Sequence, residues 1–246
     1  MKKFILIFVC IVVFGVSIAT IIMSRQSDAG YKGITTYEEH VRWVVNYQEN
    51  NDITLKGLGY PSKSEEEAKE FYENNENFIK VSKGNAAFMH GEFCAMLVEA
   101  GEDYLPYTGT FEQNAIIKEV YAGCKYEVDT EISLVQMGGV NISSDTDEVS
   151  IQFAYQNLPM VPGEEYLVFC EETELSYEME RPQFRTYAGA NSIVSVDNDS
   201  VLVVDENTSV EDIFNAGIAT KDAYGADYYE EYRKIILQNY GLYEEK

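Results

Sequence analysis

Histidine is almost absent from this sequence, with His40 and His90 its only two examples. A Ser-His-Asp triad therefore has few ways to form, and no G-x-S-x-G elbow, H-E-x-x-H pair or phosphate loop occurs. Cysteine is also sparse: Cys10 lies in the first apolar run, and Cys94, Cys124 and Cys170 follow much later. None belongs to a C-x-x-C pair, and the spacing argues against zinc. Three cysteines beyond the first run leave room for one disulfide and one spare thiol, with the pairing open. Basic residues are scarce too. Lys and Arg total 18 against 42 Asp and Glu, giving a formal net charge of -24. Such a surface repels nucleic acid phosphates, so a nucleic-acid role is set aside, and it attracts cations and basic partners. The same acids also keep an exported domain soluble. Fixed-period repeats and low-complexity tracts are missing.

What is plentiful is tyrosine, with 19 residues against a single tryptophan. A tyrosine packs its ring and keeps its hydroxyl wet, which suits half-exposed strands and binding surfaces alike.

The chain opens Met1-Lys2-Lys3 and continues as an apolar run over 4–23. About 20 residues at 1.5 Å each cross a hydrocarbon core of roughly 30 Å. The lysines favour a cytoplasmic start and send the rest of the chain outside. The sequence predicts an uncleaved transmembrane anchor over 1–24 and a juxtamembrane spacer over 25–35. Ser17-Ile18-Ala19 keeps the alternative of a cleaved signal peptide open.

A helical amino-terminal segment is expected over 36–84. Thr36 and Glu39 have capping-box spacing, followed by an apolar face of Tyr37, Val41, Val44 and Val45. His40 reads as a partly exposed helix residue. The stretch 50–63 reads as loop. Ser64 caps a second helix reaching about residue 74, with Glu65, Glu66 and Glu67 meeting its positive end rather than a metal. An antiparallel barrel is expected over 85–205, with strands at 86–100 (broken at Gly91), 107–121, 130–137 and 149–153. In the third, Ile132, Leu134 and Gln136 point inward, and Gly138-Gly139 ends the strand. Pro162-Gly163 then launches 162–170, PGEEYLVFC, an apolar run that reads as a strand buried on both faces. Shorter strands follow at 184–187, 192–196 and 201–204, the last two read as a hairpin closed by Asp197-Asn198-Asp199. Carboxy-terminal helices fill 206–246, one capped by Ser209 and one reaching Tyr240, where Gly241 stops it.

Chemistry is hard to find along this path. His90 and Glu92 would share one strand face. Cys94 with His90 is the one local nucleophile-base candidate. Asp145-Thr146-Asp147-Glu148 and Asp197-Asn198-Asp199 are oxygen-rich, yet neither has EF-hand spacing. For each, a structural or solvent-facing role is the simpler reading. Glu164 and Glu165 read as rim residues. No catalytic residue, metal ligand or cofactor is assigned, and the ligand-binding residues are unknown.

The strand with an internal glycine at 86–100, then IIKEVYAG (116–123), TEISLVQMGG (130–139) and PGEEYLVFC (162–170), together resemble the OB-like barrels of bacterial surface proteins. These barrels are similar to netrin and tissue-inhibitor modules. The resemblance covers about residues 85–170. It implies a closed antiparallel barrel that serves binding. The paired amino-terminal cysteines of the animal modules are lacking, so protease inhibition is not implied.

The sequence thus predicts an α+β chain: a transmembrane helix, then an antiparallel OB-like barrel flanked by helices. Its expected role is a membrane-anchored extracytoplasmic binding module for a basic protein or envelope component. A surface hydrolase acting on envelope material and a structural accessory of a membrane complex are the alternatives.

Overall fold

The computed structural model describes residues 33–50, 53–56, 64, 66–67, 93–107, 109–142, 149–153, 158–173, 181–186, 192–221 and 223–243. Helix α1 (Tyr37–Asn50) opens with the expected capping box: Thr36 Oγ1 accepts the Glu39 amide and Glu39 Oε2 accepts the Thr36 amide, both at 3.3 Å. Tyr37, His40 and Val44 form its buried stripe. Residues 53–56, read from sequence as loop, form strand β1 (Ile53–Lys56). At the expected second helix, residues 66–67 are helical and the Glu67 amide donates to Ser64 Oγ at 3.2 Å, while residues 65 and 68–74 lie outside the described residues.

Five strands close a barrel: β2 (Phe93–Tyr107), β3 (Thr110–Ala122), β4 (Glu131–Ile142), β6 (Glu165–Glu172) and β7 (Gln183–Thr186). The order runs β4-β3-β2-β6-β7 and returns to β4. Four of the junctions are antiparallel, and the closing β4–β7 pair is parallel. The architecture is α+β and compatible with an OB-like barrel. Its interior holds Met96, Val98, Ile117, Leu134, Val168 and Phe184 among others. Each large side chain buried there stabilises by roughly 1.5–3 kcal/mol. Ile132, Leu134 and Gln136 all point inward as the alternation predicts, and all three are fully buried.

Strand β6 explains its own uninterrupted apolar run. Tyr166, Val168 and Cys170 enter the barrel, whereas Leu167 and Phe169 pack outward under helix α3 (Ala223–Asn239). Both faces are covered, so no polar alternation survives. Helix α3 buries Tyr229, Tyr232, Ile236 and Leu237 on that outer face. It ends where the sequence predicts. Gly241 adopts φ 73°, and the Leu242 amide reaches back to the Leu237 carbonyl at 2.8 Å, a Schellman closure.

Several expectations need correction. The strand expected over 86–100 is described from 93 to 107, because it continues past an irregularity between Ala100 and Tyr104. Residues 85–92, including His90, Gly91 and Glu92, lie outside the described residues. Gly138-Gly139 does not end β4. With φ of 144° and 97° the two glycines redirect it, so that it leaves β3 and pairs with β5 (Val149–Phe153). Strand β1 then adds to β5 in parallel. Strand β8 (Ile193–Ser195) does not form a hairpin with β9 (Val201–Val203): β8 joins β6, and β9 pairs in parallel with a strand the sequence did not announce, β10 (Ile218–Thr220). The short helix α2 (Val210–Phe214) is capped by Ser209 as expected. Among the described residues no helix is long and apolar enough to cross a membrane, and the expected span 4–23 lies outside them.

One end of the barrel is plugged by a second core. Tyr37, Val44, Tyr104, Phe111, Phe153 and Phe214 bring α1, β2, β3, β5 and α2 together there. Tyr37 also donates its hydroxyl to the Phe214 carbonyl at 3.1 Å.

Candidate functional site

A shallow groove of about 20 Å³, open to solvent, lies where β6, β8, the β9–β10 ribbon and α3 meet. Leu158, Tyr166, Val194, Ile218 and Tyr232 give it mostly apolar walls, and Arg233 supplies a cation. The Arg233 guanidinium is fixed by two backbone acceptors, Ser195 O from Nε at 2.9 Å and Val196 O from Nη2 at 2.7 Å. Burial lowers its pKa, while Asp199, Asp197 and Glu230 act in the opposite direction. Those three carboxylates act on Arg233 from outside the groove's lining.

The Asp197-Asn198-Asp199 turn follows β8, whose Ile193, Val194 and Ser195 line the groove. Asp197 Oδ2 accepts the Glu165 amide at 2.8 Å, and Asn198 donates its side-chain amide to the Asn215 carbonyl at 2.9 Å. These are turn and anchoring bonds, and they tie β6, the turn and α2 together. Glu164 accepts the Tyr166 hydroxyl at 3.0 Å, and Tyr166 in turn accepts the Val161 amide at 2.8 Å. The Gly163 amide and Glu164 carbonyl pair with Ala100 of β2. The acid pair thus sits at a tight crossing of the β5–β6 connection over β2.

A second polar constellation braces the irregular part of β2. Asn114 Oδ1 accepts the Asp103 amide at 2.9 Å, and its Nδ2 donates to Glu131 Oε1 at 2.8 Å. Arg181 spans Asp103 at 2.8 Å and Glu131 at 3.0 Å. Gly101 makes the fit possible, because a Cβ there would lie 2.0 Å from Asn114 Oδ1. Alongside, the Gln113 amide donates to the Met160 carbonyl at 2.7 Å and accepts the Met160 amide at 3.1 Å, as a neighbouring strand would.

The other sequence candidates separate. His40 is 1 % exposed, not partly exposed, and stacks on Tyr104 with ring centroids 4.6 Å apart. Its helix face is turned into the barrel plug, a burial that one polar residue in an amphipathic pattern does not announce. His90, Glu92 and the acids at 145–148 lie outside the described residues. Cys94, Cys124 and Cys170 converge, although 76 positions separate the first from the last in sequence. Among the described residues no group of three or more His, Cys, Asp or Glu side chains is arranged to hold a metal. Sequence reasoning missed the groove. Its walls come from residues scattered between 158 and 233, and a guanidinium held by carbonyls leaves no local signature.

The chain matches no protein-family model and no curated protein.

Proposed function

We propose that this chain is a membrane-anchored extracytoplasmic binding module whose groove receives a basic polypeptide partner. The groove beside α3 carries the reading: a shallow, mostly apolar surface beside Arg233, with Asp197, Asp199 and Glu230 near enough to act on that guanidinium. A partner laying an apolar side chain across this surface and placing lysines or arginines near those acids fits both features. The net charge of -24 steers such a partner inward from a distance. The anchor follows from the apolar run 4–23 behind two lysines. Kinship with netrin- and tissue-inhibitor-like barrels over 85–170 is part of the same proposal, and barrels of that kind commonly serve binding.

Two measurements test it. A photo-crosslinker at Ile193, on the groove, is expected to capture a basic protein in native membranes. The same probe at Val128, on the turn beside the other end of β6, is expected to capture none. Equal capture from both positions, or capture abolished neither by salt nor by Asp199→Lys with Glu230→Lys, overturns the groove. Separately, the native protein is expected to run larger on a gel than a shortened chain beginning at Gly30. Co-migration of the two removes the anchor and leaves the groove reading standing.

A further inference from the structure

The three thiols outside the first apolar run meet at the end of the barrel opposite the aromatic plug. Cys94 on β2 and Cys170 on β6 stand directly opposite each other in the antiparallel register. Both belong to the barrel's inner core, with 3 % and 0 % exposure. Cys124 follows the turn that ends β3 and packs against the same core, half-buried. The turn is pinned there. Gly123 has φ 66°, a Cβ on it would lie 1.6 Å from the Phe93 carbonyl oxygen, and its own carbonyl accepts the Cys94 thiol at 3.3 Å.

Opposed residues in an antiparallel pair have Cα atoms about 4.5 or about 5.5 Å apart. A disulfide spans Cα separations of about 4.4–6.8 Å. Phe169 and Thr173 turn their amides away from β2 while Glu164 bonds to Ala100, so Cys94–Cys170 is a hydrogen-bonded pair at about 5.5 Å, inside that range, with both side chains on one face. Access is the obstacle, because both are sealed inside the barrel while an oxidant must come from solvent. Cys124 is the thiol that reaches the surface.

We propose that Cys94 and Cys170 form a disulfide across β2 and β6, made by thiol–disulfide exchange in which Cys124 is the entry thiol and an external disulfide is the oxidant. The Cys124 thiolate attacks one sulfur of R–S–S–R. A Cys124–S–S–R bond forms, the external S–S bond breaks, and the departing RS⁻ takes up the proton that Cys124 lost. Cys94 then attacks Cys124 Sγ, and the second RS⁻ leaves with the Cys94 proton. Finally Cys170 attacks Cys94 Sγ, the Cys94–Cys124 bond breaks, and the Cys170 proton passes to Cys124. In sum Cys94 and Cys170 lose two electrons and two protons, the external disulfide becomes two thiols, and Cys124 is regenerated. Burial raises the Cys170 thiol well above its ordinary range, and burial also raises Cys124. Exchange is therefore slow at neutral pH and faster in mild alkali.

The test uses the full chain purified in detergent and incubated with oxidised glutathione. Thiols are then alkylated and peptides mapped by mass spectrometry. The expected product is a Cys94–Cys170 linked peptide with Cys124 alkylated. Because the bond closes a loop of about 75 residues, a melting temperature on the order of 10 °C higher than in reductant should accompany it. Full alkylation of Cys94, Cys124 and Cys170, or Cys94–Cys124 as the stable end product, overturns the proposal. Cys124→Ser is expected to give the same bond at least about tenfold more slowly, and an unchanged rate removes the entry role. Melting of that variant in reductant, matching the parent, separates slow exchange from misfolding. Should the serine variant melt early, Cys124→Ala supplies the rate.

Discussion

His40 shows how much one side chain can hold. It sits between Tyr104 and Phe214, the latter edge-on at 5.8 Å, and burial pushes its pKa from 6.5 down to about 3. The folded chain thus binds this proton less readily than the unfolded chain. The contribution is complete above about pH 6.5 and is lost progressively as pH falls towards about 3. Between pH 7 and pH 5 the loss comes to about 2 kcal/mol from this residue. His40→Phe is expected to remove that share, so urea midpoints at the two pH values should differ less than in the parent. An identical pH dependence would show the burial to be unimportant. Tyrosine answers a different residue-scale problem. With more than two acids per base, phenols stand in as donors: Tyr126 to Glu172 at 2.6 Å, Tyr121 to Glu119 at 2.9 Å, Tyr166 to Glu164 at 3.0 Å and Tyr107 to Glu112 at 3.3 Å. Such a donor satisfies a carboxylate without adding charge, and the carboxylate holds the phenol protonated in return, as Glu172 does for Tyr126.

At the scale of elements, glycines decide where strands turn. Gly123→Ala forces a Cβ into the Phe93 carbonyl at 1.6 Å in a left-handed conformation. It is expected to destabilise by about 3 kcal/mol or more, read from urea denaturation. A loss below about 1 kcal/mol would mean that the β3 turn is not pinned to β2 as described. The elements legible in the sequence were those with unbroken local logic. The run YLVFC announced a strand covered twice, the alternation of Ile132, Leu134 and Gln136 announced an inner face, and Thr36 with Glu39 announced a helix start. Those that stayed hidden lacked such logic. Gly101-Glu102-Asp103 breaks the period of β2, so the sequence pattern ends the strand at Ala100 and gives 101–106 no element. The segments ITLK and IAT are too short to show a period, and each is stabilised by a parallel neighbour distant in sequence. Gly138-Gly139 looked like an ending because redirection and termination use the same residue. The groove had no local trace at all, since Arg233 is positioned by carbonyls nearly 40 positions earlier.

For the whole molecule, charge sets the terms. A net charge of -24 on one chain is self-repulsion that folding concentrates. Raising monovalent salt from about 10 mM to about 0.5 M shortens the screening length several-fold. The melting temperature should therefore rise over that range, and a fall would show that exposed pairs such as Lys125 with Glu172 outweigh the repulsion.

The contacts that seat α1 set an order of events. Tyr37 bonds to Phe214 and Gln48 to Val210, across 177 and 162 positions. Chains grow at about 5–20 residues per second. The first helix of the barrel plug is therefore synthesised on the order of ten seconds before the residues that cover it exist. Its apolar stripe spends that interval in the open, while β2, β3 and β4 find one another locally. The earliest of these elements to be made is among the last to be housed, and its Tyr37, His40 and Val44 are the part of the aromatic plug that a nascent-chain chaperone would meet first.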